Sequence, residues 1–464
     1  MNTTAHFGAP RAREDPYSTI KSITYLLEIE LPSRNAMKRG TLSVLALGVA
    51  TLLRATWALA AHIEDVTYLP NDHPAIQYAQ QPSNDAVAEL AQRIQSGAVK
   101  LDYAPGWGYL PAVLKQLGVH IDSQILVFSK TSFQSSKISP RAPRALYFND
   151  EVAVGSVQGG DVLEFVALDS RQGDNFYTMD IQKTEKPEFD RRDVCFQCHQ
   201  GLSTLGVPGI MVTSVYPGAD GMPAFRGAAM ITDHRSSFDQ RWGGWYVTGT
   251  HGSQHHIGNA LSHNPAQPQA LDTYATQNLT SLDKKFDTSR YLAPTSDIVA
   301  LMTLEHQTRM TNLMTRLGWD TRIAVHDGKL DDAMRDRIYG EVEDMVTYML
   351  FADEKQLSEP VQGVSTFTKT FPERGPRDRQ GRSLRDFDLE KRLFRYPLSY
   401  MVYSAAFDAM PDLVKERVYR RLYEVLTGKD ESASYARLSP EDRRAVFEIF
   451  RETKPHLPDY WTAQ

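Results

Sequence analysis

Between residues 124 and 182 the chain carries five runs rich in β-branched and aromatic residues: "ILVFSKTSF", "RALYFND", "VAVGSVQ", "VLEFVALD" and "NFYTMDI". Asn-Asp, Gly-Gly and Gln-Gly-Asp separate them. Runs of this kind bounded by turn residues read as strands, and their close spacing predicts an antiparallel meander of about five strands. Upstream, "PSNDAVAELAQRIQSGAVKL" has helical spacing after a Ser/Asn/Asp start, and "GYLPAVLKQLGV" reads as a short helix closed by Gly118. From Asp297 onward the texture is helical, with "DIVALMTLEHQTRMTNLMTRL", "DAMRDRIYGEVEDMVTYMLF", "DLEKRLFRYPLSYMVYSAAFDAM", "DLVKERVYRRLYEVLT" and "SPEDRRAVFEIFRET" as candidate helices and Gly428 as a stop after the fourth. The expected class is therefore α+β. Its divisions are an N-terminal extension with a leader over residues 1–61, helices and then strands over 62–192, a loop-rich segment over 193–290, and a mainly helical region over 291–464.

The leader is read from "MKRGTLSVLALGVATLLRATWALAA", which begins at Met37. Lys38 and Arg39 form a basic start, residues 41–53 an apolar stretch, and Ala58-Leu59-Ala60 a small-residue cleavage pattern, the three parts of a secretory signal. The expected location is periplasmic or secreted, with a membrane anchor as the outcome if the signal is not cleaved. The net charge of -6 and the absence of a long basic tract in the central part of the chain argue against a nucleic-acid partner. An ordinary apolar fraction argues against a multi-span membrane protein.

An exported chain can use disulfides, yet this one has two cysteines in 464 residues, and both lie in "DVCFQCHQG" at positions 193–201. Cys195, Cys198 and His199 form a Cys-x-x-Cys-His run, which has three chemical readings. In the first, both thiols add across the vinyl groups of one haem and His199 becomes the proximal iron ligand. In the second, the pair is a thioredoxin-like dithiol, which needs the N-terminus of a helix in a βαβ unit. The sequence after it, "HQGLSTLGVPG", with three glycines and a proline, is a poor helix. The third, a zinc site, lacks a second cysteine pair. A single covalent haem c is the expected cofactor.

What such a haem does depends on its sixth ligand. Met211, Met222 and Met230 follow the motif in the loop-rich segment, and His251, His255 and His256 lie in "RWGGWYVTGTHGSQHHIGN", residues 241–259. His306 shares a helical face with Val299 and Met302. Each is equally readable as a core or surface residue; His251, His255 or His256 could also act as an acid/base group, and His251 is the preferred candidate. Arg141 and Arg144 of "SPRAPR", and the arginines of "RGPRDRQGRSLRDFDLEKR", are candidates to meet haem propionates, although the acids among the latter also suit a solvated ion-pair network.

Taken with "CFQCH", the stretches "SPRAPRALYFND", "RWGGWYVTGTHG" and "RDFDLEKRLFRYPLSYMVYS" resemble a group of long exported bacterial proteins with one Cys-x-x-Cys-His run, the cytochrome c domain-containing proteins. That resemblance spans most of the chain after the leader. It implies haem c and export and names no substrate. The expected function is single-electron transfer with a periplasmic redox partner protein. The alternatives are a peroxidase-like haem oxidoreductase acting on a small oxidant and a dithiol redox or binding protein without haem.

Overall fold

The computed structural model describes residues 68–224, 229–264 and 266–462, so the leader lies outside the described residues. The strand-like stretch folds as expected. Strands β1 (Ile125–Val127), β2 (Arg144–Phe148), β3 (Val152–Ser156), β4 (Val162–Asp169) and β5 (Gly173–Asp180) pair antiparallel in sequence order. Two short strands extend the sheet. β6 (Asp190–Arg191) joins β5 and β9 (Trp245–Tyr246) joins β1, giving the order β6-β5-β4-β3-β2-β1-β9. A separate hairpin pairs β7 (Val212–Ser214) with β8 (Met230–Thr232).

Alternation along the strands gives the sheet two faces. Leu163, Phe165 and Ala167 of β4, with Tyr177 and Met179 of β5, pack under helices α1 (Ala86–Gln95) and α2 (Leu110–Gln116). Asp85 caps α1 by accepting from Val87 and Ala88 N–H, and its other oxygen accepts from Asn175 and the Tyr177 hydroxyl, which ties the helix to β5. The opposite face, with Glu164, Val166, Leu168 and Phe176, is half-covered. One part of it meets the long helix α4 (Ile298–His326), and another meets the Cys-x-x-Cys-His turn, whose last four residues form the short helix α3 (Phe196–His199).

Helix α4 is buried along almost its whole length and carries a core shared with α5 (Asp332–Met349), α6 (Phe367–Glu373), α7 (Ala405–Asp408), α8 (Asp412–Leu426) and α9 (Pro440–Thr453). The α+β assignment therefore holds. One helical expectation needs correction. Most of "DLEKRLFRYPLSYMVYSAAFDAM" is irregular, because the Asp388 carboxylate captures the backbone N–H groups of Glu390 and Lys391, Leu389 takes a positive φ, and Pro397 lacks a donor. Helix α6, by contrast, was not anticipated. Among the described residues no helix is long and apolar enough to cross a membrane.

Candidate functional site

The motif is a tight turn over 193–195 running into α3, which stops at His199 because Gln200 leaves helical geometry. Neither thiol is in a disulfide; Cys195 is half-buried and Cys198 exposed. Phe196 points inward, edge-on to Tyr78 at 5.0 Å and to Phe176 at 6.0 Å between ring centroids. It thereby joins a small core with Tyr78, Trp319 and Ile323. Gln200 donates to the Leu69 carbonyl (3.1 Å), so residues 69–78 brace the motif from outside the sheet.

His199 is held in one tautomer. Its Nδ1 lies 3.0 Å from the Gly209 carbonyl oxygen, which can only accept, so the proton is on Nδ1 and the Nε2 lone pair stays available. The Gly209 N–H in turn donates to the His199 carbonyl (2.9 Å). Position 209 requires glycine: a Cβ there would come within 2.0 Å of Asn312 Oδ1 on α4. Asn312 Nδ2 donates to the Ile210 carbonyl and Arg316 to the Leu205 carbonyl, so α4 fixes the loop that orients the imidazole. Burial lowers the His199 pKa, with the Gly209 hydrogen bond pulling the other way, which keeps the ring neutral near pH 7.

Glu164 and Arg144 stand on the sheet near the motif and act electrostatically on His199 with opposite sign. They form an ion pair at 2.7 Å. Burial disfavours the Glu164 charge, but Arg144 and hydrogen bonds from Gln134 and Ser132 outweigh it and hold the carboxyl below its usual range. Cys195 feels the opposite: burial, followed by the Glu164 charge, pushes its thiol up to about 11. Reactive dithiols need a depressed pKa, so this thiol is a poor exchange nucleophile. The surroundings are unusually apolar for a surface. Val194 is 58% exposed, Leu202 62% and Tyr68 60%, all flanking the motif, and Phe133 (62%) follows the serine that binds Glu164. Val194 and Leu202 border the motif in sequence, and Tyr68 approaches it at Gly201.

Neither protein-family models, curated proteins nor solved structures give a match to this chain.

The sixth-ligand candidates separate into two groups. Met211 is half-buried and adjoins Ile210; Met222 is exposed on a turn whose Gly221 carbonyl accepts from Lys130 N–H, two residues before Ser132. Met230 is half-buried at the start of β8. The histidines are elsewhere. His251 and His256 are buried together, 4.7 Å between rings, against Phe238 and Trp242. His251 Nε2 accepts from Asn278 N–H and its Nδ1 has no hydrogen-bond partner; His255 is exposed. Gly249 meets α4 at Ile298, whereas the motif loop meets it at Asn312. At 1.5 Å per residue, about 20 Å of helix separates those points. His251 is thus not brought to the motif.

His306 belongs to a buried chain that the sequence did not reveal. Its Nε2 lies 2.8 Å from Ser399 Oγ, its Nδ1 2.9 Å from His234 Nδ1, and His234 Nε2 3.3 Å from Asp353 Oδ1. Because the carboxylate only accepts, neutral rings order the donors from Ser399 through His306 and His234 to Asp353. Burial lowers both imidazole pKa values, that of His306 well below 6.5. Beside them, Arg241 pairs with the fully buried Glu305 at 3.1 Å. Gly209 and Glu164 also escaped the sequence reading, since each reaches the motif only through the folded sheet or loop.

Proposed function

We propose that this chain carries one covalent haem c, with Cys195 and Cys198 as thioether positions and His199 Nε2 as proximal ligand, and exchanges single electrons with a partner protein outside the cytoplasm. The observation that carries this reading is the His199 imidazole: its Nδ1–H is tied to the Gly209 carbonyl while Nε2 stays unengaged, directly beside two unpaired thiols. Metal-bound histidines ordinarily have this outer hydrogen bond, which fixes the ring and raises its basicity. The exposed Val194, Leu202, Tyr68 and Phe133 offer apolar contact to a porphyrin. Arg144, whose Nε is buried without a partner, and Arg192, whose charge acts on Cys195, are the candidate cations for a propionate. When bound, the haem supplies the one-electron couple; the chain orients the imidazole, keeps it neutral and shields one side from water.

The dithiol alternative is disfavoured by the raised Cys195 pKa. An oxidoreductase would need an acid/base group facing an open iron position, and His251 is engaged with Asn278 at the other end of α4. Met211, Met222 and Met230, in the segment that follows the motif, remain the methionine candidates for the sixth ligand.

The test is the visible spectrum of protein produced with a haem-attachment system. A low-spin ferric spectrum that cyanide leaves unchanged is expected. A high-spin spectrum shifted by cyanide or peroxide would overturn the carrier reading in favour of an oxidoreductase. Replacing both cysteines by alanine is expected to abolish covalent haem while leaving the far-ultraviolet circular dichroism intact. Covalent haem persisting in that variant would refute the attachment assignment.

A further inference from the structure

Three side chains remote from the cysteines in sequence meet at the C-terminal end of α4. His326 is the last residue of that helix and Asp327 its cap. The helix end is sharply fixed: Asp327 N–H donates to the Ile323 carbonyl, Lys329 N–H to the Ala324 carbonyl, and Gly328 takes a φ of +66°. His73 reaches the same place from a loop 254 residues before Asp327. Ile76 and Gln77 N–H donate to the His73 carbonyl and fold that loop back on itself, while Leu69, Ile76 and Tyr78 seat it on Trp319 and Ile323 of α4.

His73 Nε2 lies 3.1 Å from Asp327 Oδ1, and His326 Nδ1 lies 3.2 Å from the same oxygen. The two rings stand nearly perpendicular, 5.3 Å apart between centroids. Among the described residues these are the one set of His, Cys, Asp or Glu side chains offering three ligand atoms all within 4.8 Å of one another. Bonds of about 2.0–2.1 Å at tetrahedral angles set ligand atoms about 3.3–3.4 Å apart, so both spacings are close to those around a bound ion. Two imidazoles and one carboxylate suit zinc and its divalent neighbours; magnesium and calcium take oxygen ligands. The C-terminal end of a 29-residue helix carries negative partial charge, which also favours a cation. His326 is 48% exposed, so an ion can enter and water can complete its shell.

Two existing contacts must yield. Lys329 Nζ lies 3.0 Å from Asp327 Oδ2, the oxygen that the imidazoles do not contact, and at 71% exposure it can swing into water. His73 Nδ1 accepts the Ala75 N–H at 3.2 Å. Coordination through Nε2 moves the ring proton to Nδ1, and water then serves the N–H of the half-buried Ala75.

We propose that His73, His326 and Asp327 bind one divalent transition-metal ion of the zinc class, which clamps the 69–78 loop to the C-terminal end of α4. The site is independent of the haem reading. The clamp bears on the motif nonetheless, because Leu69 and Asn71 of the same loop are hydrogen-bonded to Gln200, directly after His199.

The experiment titrates the chelator-stripped full chain with zinc chloride by calorimetry, with Cys195 and Cys198 carrying haem or alkylated so that the thiols cannot bind the ion. One equivalent is expected to bind, with the affinity lowered at least about tenfold in each of His73→Ala, His326→Ala and Asp327→Asn. Zinc is also expected to raise the thermal midpoint of the unsubstituted chain and not that of His326→Ala. Absence of saturable binding, or an unchanged affinity in His326→Ala, would overturn the proposal. Should the variants not fold, X-ray absorption of the zinc-loaded unsubstituted chain decides: two imidazoles are expected around the ion, and fewer than two overturn the proposal.

Discussion

Asp297→Ala is expected to lower the unfolding free energy by about 4 kcal/mol, because one buried side chain serves four backbone donors. Asp297 is fully buried at the start of α4. Its Oδ1 accepts from Val299 N–H (2.8 Å) and Ala300 N–H (3.3 Å), and its Oδ2 from Val364 and Ser365 N–H, both at 2.8 Å. The cap therefore also fastens the loop before α6. That loop comes so near that a Cβ at Gly363 would lie 2.6 Å from the carboxylate oxygens. Alanine leaves all four donors without a partner in a place water enters poorly. For a domain stable by roughly 5–15 kcal/mol, that is a large part of the whole. Urea unfolding followed by circular dichroism measures it. Asp297→Asn should lose about half as much, since its amide oxygen still caps the helix while its NH₂ opposes the loop donors. A loss under about 1 kcal/mol for alanine would show that the cap does not anchor α4.

Arg241→Ala should cost a similar amount, with a pH dependence that identifies its cause. Arg241 donates to Glu305 and to the carbonyls of His234 and Ser236. Removing one partner of a buried pair typically costs about 3–5 kcal/mol. Burial pushes the Glu305 pKa up to about 7, with Arg241 the main influence holding it down. Without the arginine, the folded-state pKa climbs further above its unfolded value. Below pH 7 Glu305 is protonated in both folded proteins, and the cost is that of the lost hydrogen bonds. Above pH 7 only the original chain can ionise it cheaply, so the gap widens by up to about 1.4 kcal/mol per pH unit. Stability measured at pH 6 and pH 8 checks the sign. Adding Glu305→Gln to Arg241→Ala should remove the widening; a pH-independent gap in the single variant would contradict the role of Glu305.

The sheet was legible because its signal is local: alternating runs and turn residues place β1 to β5 without knowledge of anything distant. Strand β9 was not, since Trp245 and Tyr246 are two residues framed by Gly243, Gly244 and the positive-φ Trp242, and only pairing with Leu126 and Val127 makes them a strand. Helix α4 was legible at its start, through Asp297 and the apolar spacing. The stretch around Asp388 and Pro397 misled, because apolar periodicity there competes with side-chain capture of the backbone. At the site, Cys195, Cys198 and His199 are adjacent in sequence and readable as chemistry. The groups around them, Gly209, Glu164 and Arg144, come from separate strands and a loop; Arg144 drew notice as a propionate candidate, and no spacing rule connects the other two to the motif. His251 drew notice by its glycine- and aromatic-rich segment and His306 by a helical face shared with Val299 and Met302, and each is engaged in a buried network of its own.

Covalent tethering of haem through Cys195 and Cys198 is the core of the proposed function. Acidified-acetone extraction of the purified protein, made where haem c can be attached, tests it most directly. The iron porphyrin is expected to stay with the precipitated chain and to give a haem c pyridine haemochrome spectrum. Porphyrin passing into the solvent, or a chain that never acquires it, would contradict the account.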